Sequence, residues 1–215
     1  MYNYPHYKET DPKEIITFMQ AHPFAMVMGV TNDGRIETTQ VPVLVEERDG
    51  KIYISGHIAR KSSHHNALAE NPNALVVFTG AHSYVSGSWY ANSQQASTWN
   101  YIAVHARGKA EWMEEKQFIN FLKKLSLHFE NYNTASSTVY DNLPQEYLDK
   151  LRKAIVGFEI EVSELDNVHK LSQNRDEKSY DNIINELDKG NEDSREISQV
   201  MQERKTKVFP PQKIN

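Results

Sequence analysis

The spacing of hydrophobic positions is helical at the start of the chain and then mostly alternates as in strands. In "TDPKEIITFMQAH", Ile15, Ile16 and Met19 fall on one helical face behind Thr10 or Asp11 as N-cap. Pro12 takes a first-turn position, where its missing N–H costs nothing. Strand patterns follow in "FAMVMGV", "IETTQVPVLVEE" and "IYISG", separated by the Asp-Gly turn signals "TNDGR" and "RDGK". These predict three strands in a meander. His65 to Glu70 suits a short helix stopped by Asn71-Pro72, and "ALVVFTG" suits a buried strand.

"AHSYVSGSWY" continues as strand and turn, "NSQQAS" reads as a polar loop, and "TWNYIAVHARGKAEWM" reads as a long strand with alternating faces. In "EEKQFINFLKKLSLHFE", the residues Phe118, Phe121, Leu122, Leu125 and Phe129 line one side of an amphipathic helix. "NLPQEYLDKLRKA" predicts a shorter helix and "IVGFEIEVSEL" the last clear strand. Beyond Val168 the chain is polar and predicted helical, ending in a frayed "FPPQKIN". About seven closely spaced strands with Gly/Asn/Asp turns and few helices between them indicate an antiparallel barrel with peripheral helices rather than a βαβ sheet. No internal repeat interrupts this pattern.

Composition narrows the classes. The chain has 215 residues, 39% of them hydrophobic, which is enough for one substantial core or a core with an appendage. A net charge of −5 favours no nucleic acid, and from Lys170 to Lys207 acids slightly outnumber bases. The absence of cysteine removes disulfides, thiolate metal sites and cysteine nucleophiles, and fits a reducing interior. The polar, aromatic "MYNYPHYKETDP" has no apolar signal region, and no later run is long and apolar enough for a bilayer. A soluble cytoplasmic protein is the expectation.

Candidate chemistry concentrates in "GHIARKSSHHNAL", Gly56 to Leu68, at a strand-to-helix turn. Arg60 supplies a planar fork of donors, Lys61 a mobile ammonium, and Ser62 and Ser63 supply hydroxyls beside helix N-terminal amides. That set suits a phosphate; the plain alternative is a solvated, charged loop. His64 and His65 are adjacent and diverge by roughly 100° on a helix. No carboxylate or further histidine stands at ligand spacing, so no metal is expected. Ser86-Gly87-Ser88 lacks the nucleophile-elbow pattern, and neither GxGxxG after a strand nor GxxxxGK[ST] occurs. Trp89-Tyr90 and Trp99-Asn100-Tyr101 flank the polar loop. Flat rings with a neighbouring amide suit a planar heteroaromatic cofactor, and equally suit capping a barrel core.

The strings "GHIARKSSHHNALAENPNALVVFTGAHSYVSGSWY", "TWNYIAVHARGKAEW", "IVGFEIEV" and "HKLSQNRDEKSYDNIINEL" resemble the PaiB-type family, described as FMN-binding negative transcriptional regulators with a flavin-binding split barrel. The resemblance covers most of the chain. It implies an antiparallel FMN-binding split barrel over residues 1–168, a helical extension over 169–207 packed on it, and a flexible tail over 208–215. "ARKSSHHNALAENPNALVVF" is also similar to the phosphate-binding segment of pyridoxamine-phosphate oxidase-like proteins. Carried over, Arg60 and Lys61 become ligands of the FMN phosphate with Ser62 or Ser63 assisting. Thr38, Thr39 and Val41 of "TTQVPV" stand beside the isoalloxazine or ribityl chain, and His57 stands at the same mouth. In such folds the site lies at a dimer interface, so Trp99, Asn100 and Tyr101, with Trp89 nearby, are expected from the partner subunit.

The chain departs from the resemblance where the oxidases' substrate-phosphate residues have no counterpart, and at Gly87 and Ala96-Ser97, where a proline is expected. Three functions follow. The first is a homodimeric FMN protein with a redox or sensing role, in which the flavin carries electrons and the chain orients it. No general base is announced by spacing; His57 is the candidate. The second is a regulator or ligand-binding module without turnover. The third is a haem-binding split barrel with His57, His82, His105 or His169 as axial ligand.

Overall fold

A computed structural model of the chain describes residues 1–92 and 94–211. Its strands are β1 (Phe24–Val30), β2 (Ile36–Pro42), β3 (Leu44–Arg48), β4 (Lys51–Ala59), β5 (Asn73–Val85), β6 (Thr98–Trp112) and β7 (Ile155–Lys170). Its helices are α1 (Pro12–Ala21), α2 (Ser63–Glu70), α3 (Glu115–Phe129), α4 (Gln145–Ala154), α5 (Glu177–Leu187) and α6 (Glu192–Val208). The strands form one sheet in the order β2-β1-β5-β6-β7-β4-β3. The expected tail at 208–215 begins on the last residue of α6, and 212–215 lie outside the described residues.

The chain divides into two compact units. One comprises Ile16–Phe78 and His105–Leu165; the other comprises Met1–Ile15, Thr79–Val104 and the chain from Asp166 onward. In the first, β1 and β2 form an antiparallel hairpin closed by Gly34 at φ +87°, as the Asn-Asp-Gly signal requires. β3 and β4 form a second hairpin through Asp49 and Gly50, both at positive φ.

The expected three-strand meander is not formed. β2 and β3 are consecutive in sequence yet sit at opposite ends of the strand order. The break falls at Pro42-Val43. The Val43 N–H makes the last bond of the β1–β2 ladder, to the Pro23 carbonyl at 2.8 Å, and Pro23 has no N–H to return, so the pairing ends there.

In α3, Phe118, Phe121, Leu122 and Leu125 pack with Tyr140 and Leu148, each burial contributing about 1.5–3 kcal/mol. Phe129, expected on the same face, is 47% exposed: it is the last residue of the helix, and the stripe has ended. Gly56 in β4 is needed for close approach, since a Cβ there would lie 2.5 Å from the Phe158 ring.

In the other unit, α5 and α6 bury Tyr180, Ile183, Leu187, Ile197 and Met201. The Tyr180 hydroxyl donates to the Met201 carbonyl at 3.0 Å, and the Ser198 hydroxyl to the Ile184 carbonyl at 3.1 Å. Glu9 is buried and accepts from the Thr10 and Asp11 amides, Arg204 and Lys207. These bonds tie the start of the chain to α6. No helix among the described residues is long and apolar enough to cross a membrane.

Candidate functional site

The turn between β4 and α2 is built by its own sequence. The Arg60 N–H donates to the Ala154 carbonyl at 2.8 Å, and its guanidinium donates to the Ile155 carbonyl at 3.1 Å. Lys61 sits in the left-handed region at φ 62°, a conformation a side chain adopts only under constraint. Its N–H donates to His65 Nδ1 at 3.1 Å, which places the His65 proton on Nε2 when the ring is neutral. Ser62 is the N-cap of α2. Its hydroxyl accepts from the His65 N–H and donates to the Ala59 carbonyl at 2.8 Å, so both its roles are taken.

β2 stands across from this turn. Glu37, Thr39 and Val41 share its covered face, while Thr38 points the other way and is exposed. The Ser63 hydroxyl donates to Glu37 at 2.7 Å, and Arg35 pairs with the same carboxylate at 2.7 Å. His64 is 2% exposed; its Nδ1 lies 2.9 Å from the Thr39 hydroxyl, and its Nε2 is buried with no partner. Burial lowers the His64 pKa, partly offset by Glu37. The ring is therefore neutral at pH 7.

Arg60 and Lys61 are exposed, and neither has a carboxylate partner among the described residues. The first-turn amides of α2, by position, lack intrahelical acceptors. Two cations without a carboxylate partner, beside the first-turn amides of Ser63 and His64, form a set that suits a phosphate. Arg60 also borders a cavity of about 380 Å³ with Phe118, Arg152 and Lys153.

His57 is placed differently. Its ring packs against Phe121 at 6.1 Å between centroids, with Nδ1 buried and unpartnered. Burial holds its pKa down. It shares no hydrogen bond with the Arg60–His65 turn.

The expected aromatic residues lie in the other unit. Trp89 is half-buried in a short 3₁₀ turn, its carbonyl accepting from Asn182 at 3.0 Å. Trp99 is 53% exposed, with His82 and Tyr84 each 6.0 Å away between ring centroids. Asn100 is fully buried. Its Oδ1 accepts from the Ser172 hydroxyl at 3.0 Å and its Nδ2 approaches Met201 Sδ at 3.4 Å. Tyr101 is half-buried, its phenol pKa raised by burial and then by Tyr2. Lys170 donates to the Thr98 hydroxyl at 2.5 Å and the Trp99 carbonyl at 2.6 Å, fixing the start of β6.

Sequence reasoning missed Glu37 and the Thr39–His64 pair as parts of the site. The strand alternation Glu37, Thr39, Val41 put them on one face, but nothing local said that α2 would cover it.

The fold is a split barrel, a mainly antiparallel sheet with peripheral helices. Residues 1–164 match the family model described as "Putative FMN-binding domain", and the chain belongs to that family, whose cofactor is FMN. It is 32% identical over 205 residues to the Protease synthase and sporulation protein PAI 2 of Bacillus subtilis, covering 95% of this chain and 98% of that one. Two solved structures share the fold. The FAD and haem binding protein from Mycobacterium smegmatis has a TM-score of 0.57 at 20% identity, over 75% of this chain and 72% of that one. The flavocytochrome Anf3 from Azotobacter vinelandii has a TM-score of 0.57 at 16% identity, over 84% and 78%.

Proposed function

We propose that this chain is a homodimeric FMN protein with a redox or sensing role. Its FMN phosphate is gripped by Arg60, Lys61 and the N-terminal amides of α2, with Ser63 assisting. The observation that carries the reading is the pair of uncompensated cations on the strained turn ahead of α2. Ser62 shapes that turn and contributes through its backbone. Thr39, oriented by His64, and Val41 on the same face of β2 flank the remainder of the cofactor, while Thr38 faces away from it. Trp89, Trp99 and Tyr101 come from the partner subunit, with Asn100 holding their strand rather than touching the ligand. His57 packs behind the site against Phe121. Bound FMN supplies one- and two-electron chemistry; the chain binds it, orients it and keeps His64 neutral.

The test is a pair of titrations, FMN and riboflavin, followed by flavin fluorescence. Wild type should prefer FMN. Arg60→Ala with Lys61→Ala should lose that preference while riboflavin affinity stays unchanged, because riboflavin lacks the phosphate. A folded double variant that still prefers FMN overturns the assignment. Light scattering tests the dimer: a monomer that binds FMN defeats the shared site.

A second reading, haem binding, draws on His82, whose exposed imidazole stands beside Trp99 on a cavity of about 430 Å³. The solved neighbours include one described as binding haem. The absorption spectrum separates the two readings: flavin bands support the first, a Soret band the second. A colourless protein that retains neither leaves a regulatory binding module without turnover.

A further inference from the structure

The segments "SYVSGSWY", "KLSQNR" and the tyrosine-rich start of the chain have no part in gripping a phosphate at Arg60, yet their side chains meet. The Arg175 guanidinium lies over the Tyr90 ring, 4.2 Å from its centroid, and donates to the Gln95 side chain. Lys170 Nζ lies 5.9 Å from the centroid of Tyr7 and donates only to the Thr98 hydroxyl and the Trp99 carbonyl. Among the described residues, neither cation has a carboxylate in ion-pair contact. Tyr90 is 7% exposed, and its hydroxyl is buried without a partner. Tyr7 is equally buried; burial raises its pKa while the charge of Arg175 opposes the rise, and the phenol stays protonated at pH 7.

A cation 91% withdrawn from solvent, as Lys170 is, carries a large desolvation cost unless an opposite charge compensates it. Here burial and the neighbouring Arg175 both push Lys170 toward releasing its proton, and no acid answers them. An orphaned hydroxyl carries its own cost. One species relieves all of these at once: an oxyanion, which accepts from the guanidinium, the ammonium and the phenol. A neutral ligand would satisfy the hydroxyl and leave the charge.

We propose that Tyr90, Arg175 and Lys170, with Tyr7 beside them, form a binding site for the oxyanion group of a small molecule, a carboxylate or a phosphate ester. The site uses none of the residues assigned to the FMN phosphate and goes beyond that reading. Its ligand is a substrate or effector of the protein, held by charge and by one buried phenol donor.

The test titrates the full-length protein with acetate and with inorganic phosphate at matched ionic strength, by calorimetry and by thermal shift. The same titrations on Arg60→Ala with Lys61→Ala subtract any phosphate signal from that turn. Saturable binding of either probe that survives in the double variant is expected; acetate alone identifies a carboxylate ligand, phosphate alone a phosphate ester. Tyr90→Phe should weaken that binding about tenfold by removing a hydrogen bond to a charged group. It should leave the ligand-free melting temperature no lower, because its hydroxyl has no partner to lose. Arg175→Gln should abolish the binding. No saturable binding to the folded wild type, or binding that both substitutions leave unchanged, overturns the proposal. So does an Arg175→Gln variant whose only loss is FMN affinity, since the cations would then belong to the flavin grip.

Discussion

His64 Nδ1 lies 2.9 Å from the Thr39 hydroxyl, and with the Ser63–Glu37 bond this contact joins α2 to the covered face of β2. Nε2 of the same ring is already buried without a partner. Thr39→Val keeps the shape and removes the remaining partner, so both ring nitrogens are orphaned. The expected cost is about 1–3 kcal/mol in urea denaturation. Combining Thr39→Val with His64→Leu removes both polar groups and should recover part of the loss. A double variant less stable than wild type by the full sum of the two single effects would show that the bond contributes nothing.

Lys61 separates conformation from charge. At φ 62° a lysine backbone is strained, and glycine adopts that angle freely. Lys61→Gly relieves the strain while giving the unfolded chain more freedom, two terms of similar size. Stability should therefore stay within about 0.5 kcal/mol of wild type. FMN affinity should fall about tenfold through the lost charge–phosphate contact. Equilibrium unfolding and a flavin titration on one preparation check both. Unchanged affinity would remove Lys61 from the phosphate grip.

Much of the architecture was readable because its residues state it locally. Pro12 and the Ile15, Ile16, Met19 face announce α1, the alternation of "TWNYIAVHARGKAEW" announces β6, and Asp49-Gly50 announces the second hairpin. The separation of β2 from β3 was not readable, because "VPVLV" alternates through the break, and only the pairing of Val43 with Pro23, distant in sequence, shows where the β1–β2 ladder ends. The Arg60–Lys61 turn was legible as a charged strand-to-helix junction. The occupation of Ser62 by its own cap, the Thr39–His64 bond and the burial of Asn100 beneath Ser172 and Met201 depend on which elements pack together, and tertiary packing leaves no local mark.

Gly87 is the point where the turn before Trp89 tolerates no side chain. A Cβ there would lie 2.2 Å from the Gln95 carbonyl oxygen, and the Gly87 N–H donates to Ser97 at 3.0 Å. Gly87→Ala must displace backbone, costing about 1–3 kcal/mol. Its tryptophan emission should shift as Trp89 moves. Gly34→Ala is the control: φ is +87° but nothing lies within 4 Å, so strain acts without a clash and the cost should be about 1–2 kcal/mol with emission unchanged. Equal losses with equal emission would refute the contact at Gln95.

Acid should destabilise this protein in two stages. His169 is 4% exposed, and burial first, then the charge of Arg204, holds its pKa down to about 4. The unfolded imidazole binds its proton near 6.5, so stability is present above that value and lost as pH falls from 6.5 toward 4. The largest loss this one group supplies is about 3 kcal/mol. The second stage is Glu9. Burial alone would raise its carboxyl, but Lys207, the Asp11 amide and Arg204 outweigh burial and hold it well below the usual carboxylate range. Its contribution is present above the ordinary glutamate pKa and is lost only as pH falls further below it. Urea denaturation at pH 7.5 and pH 5, on wild type and His169→Gln, isolates the first stage. The other depressed histidines, His57, His64 and His65, titrate with the same sign in both proteins and cancel in the difference. Wild type should lose more stability than the variant between the two pH values. Equal losses would mean that His169 is protonated as readily in the folded chain as in the unfolded one.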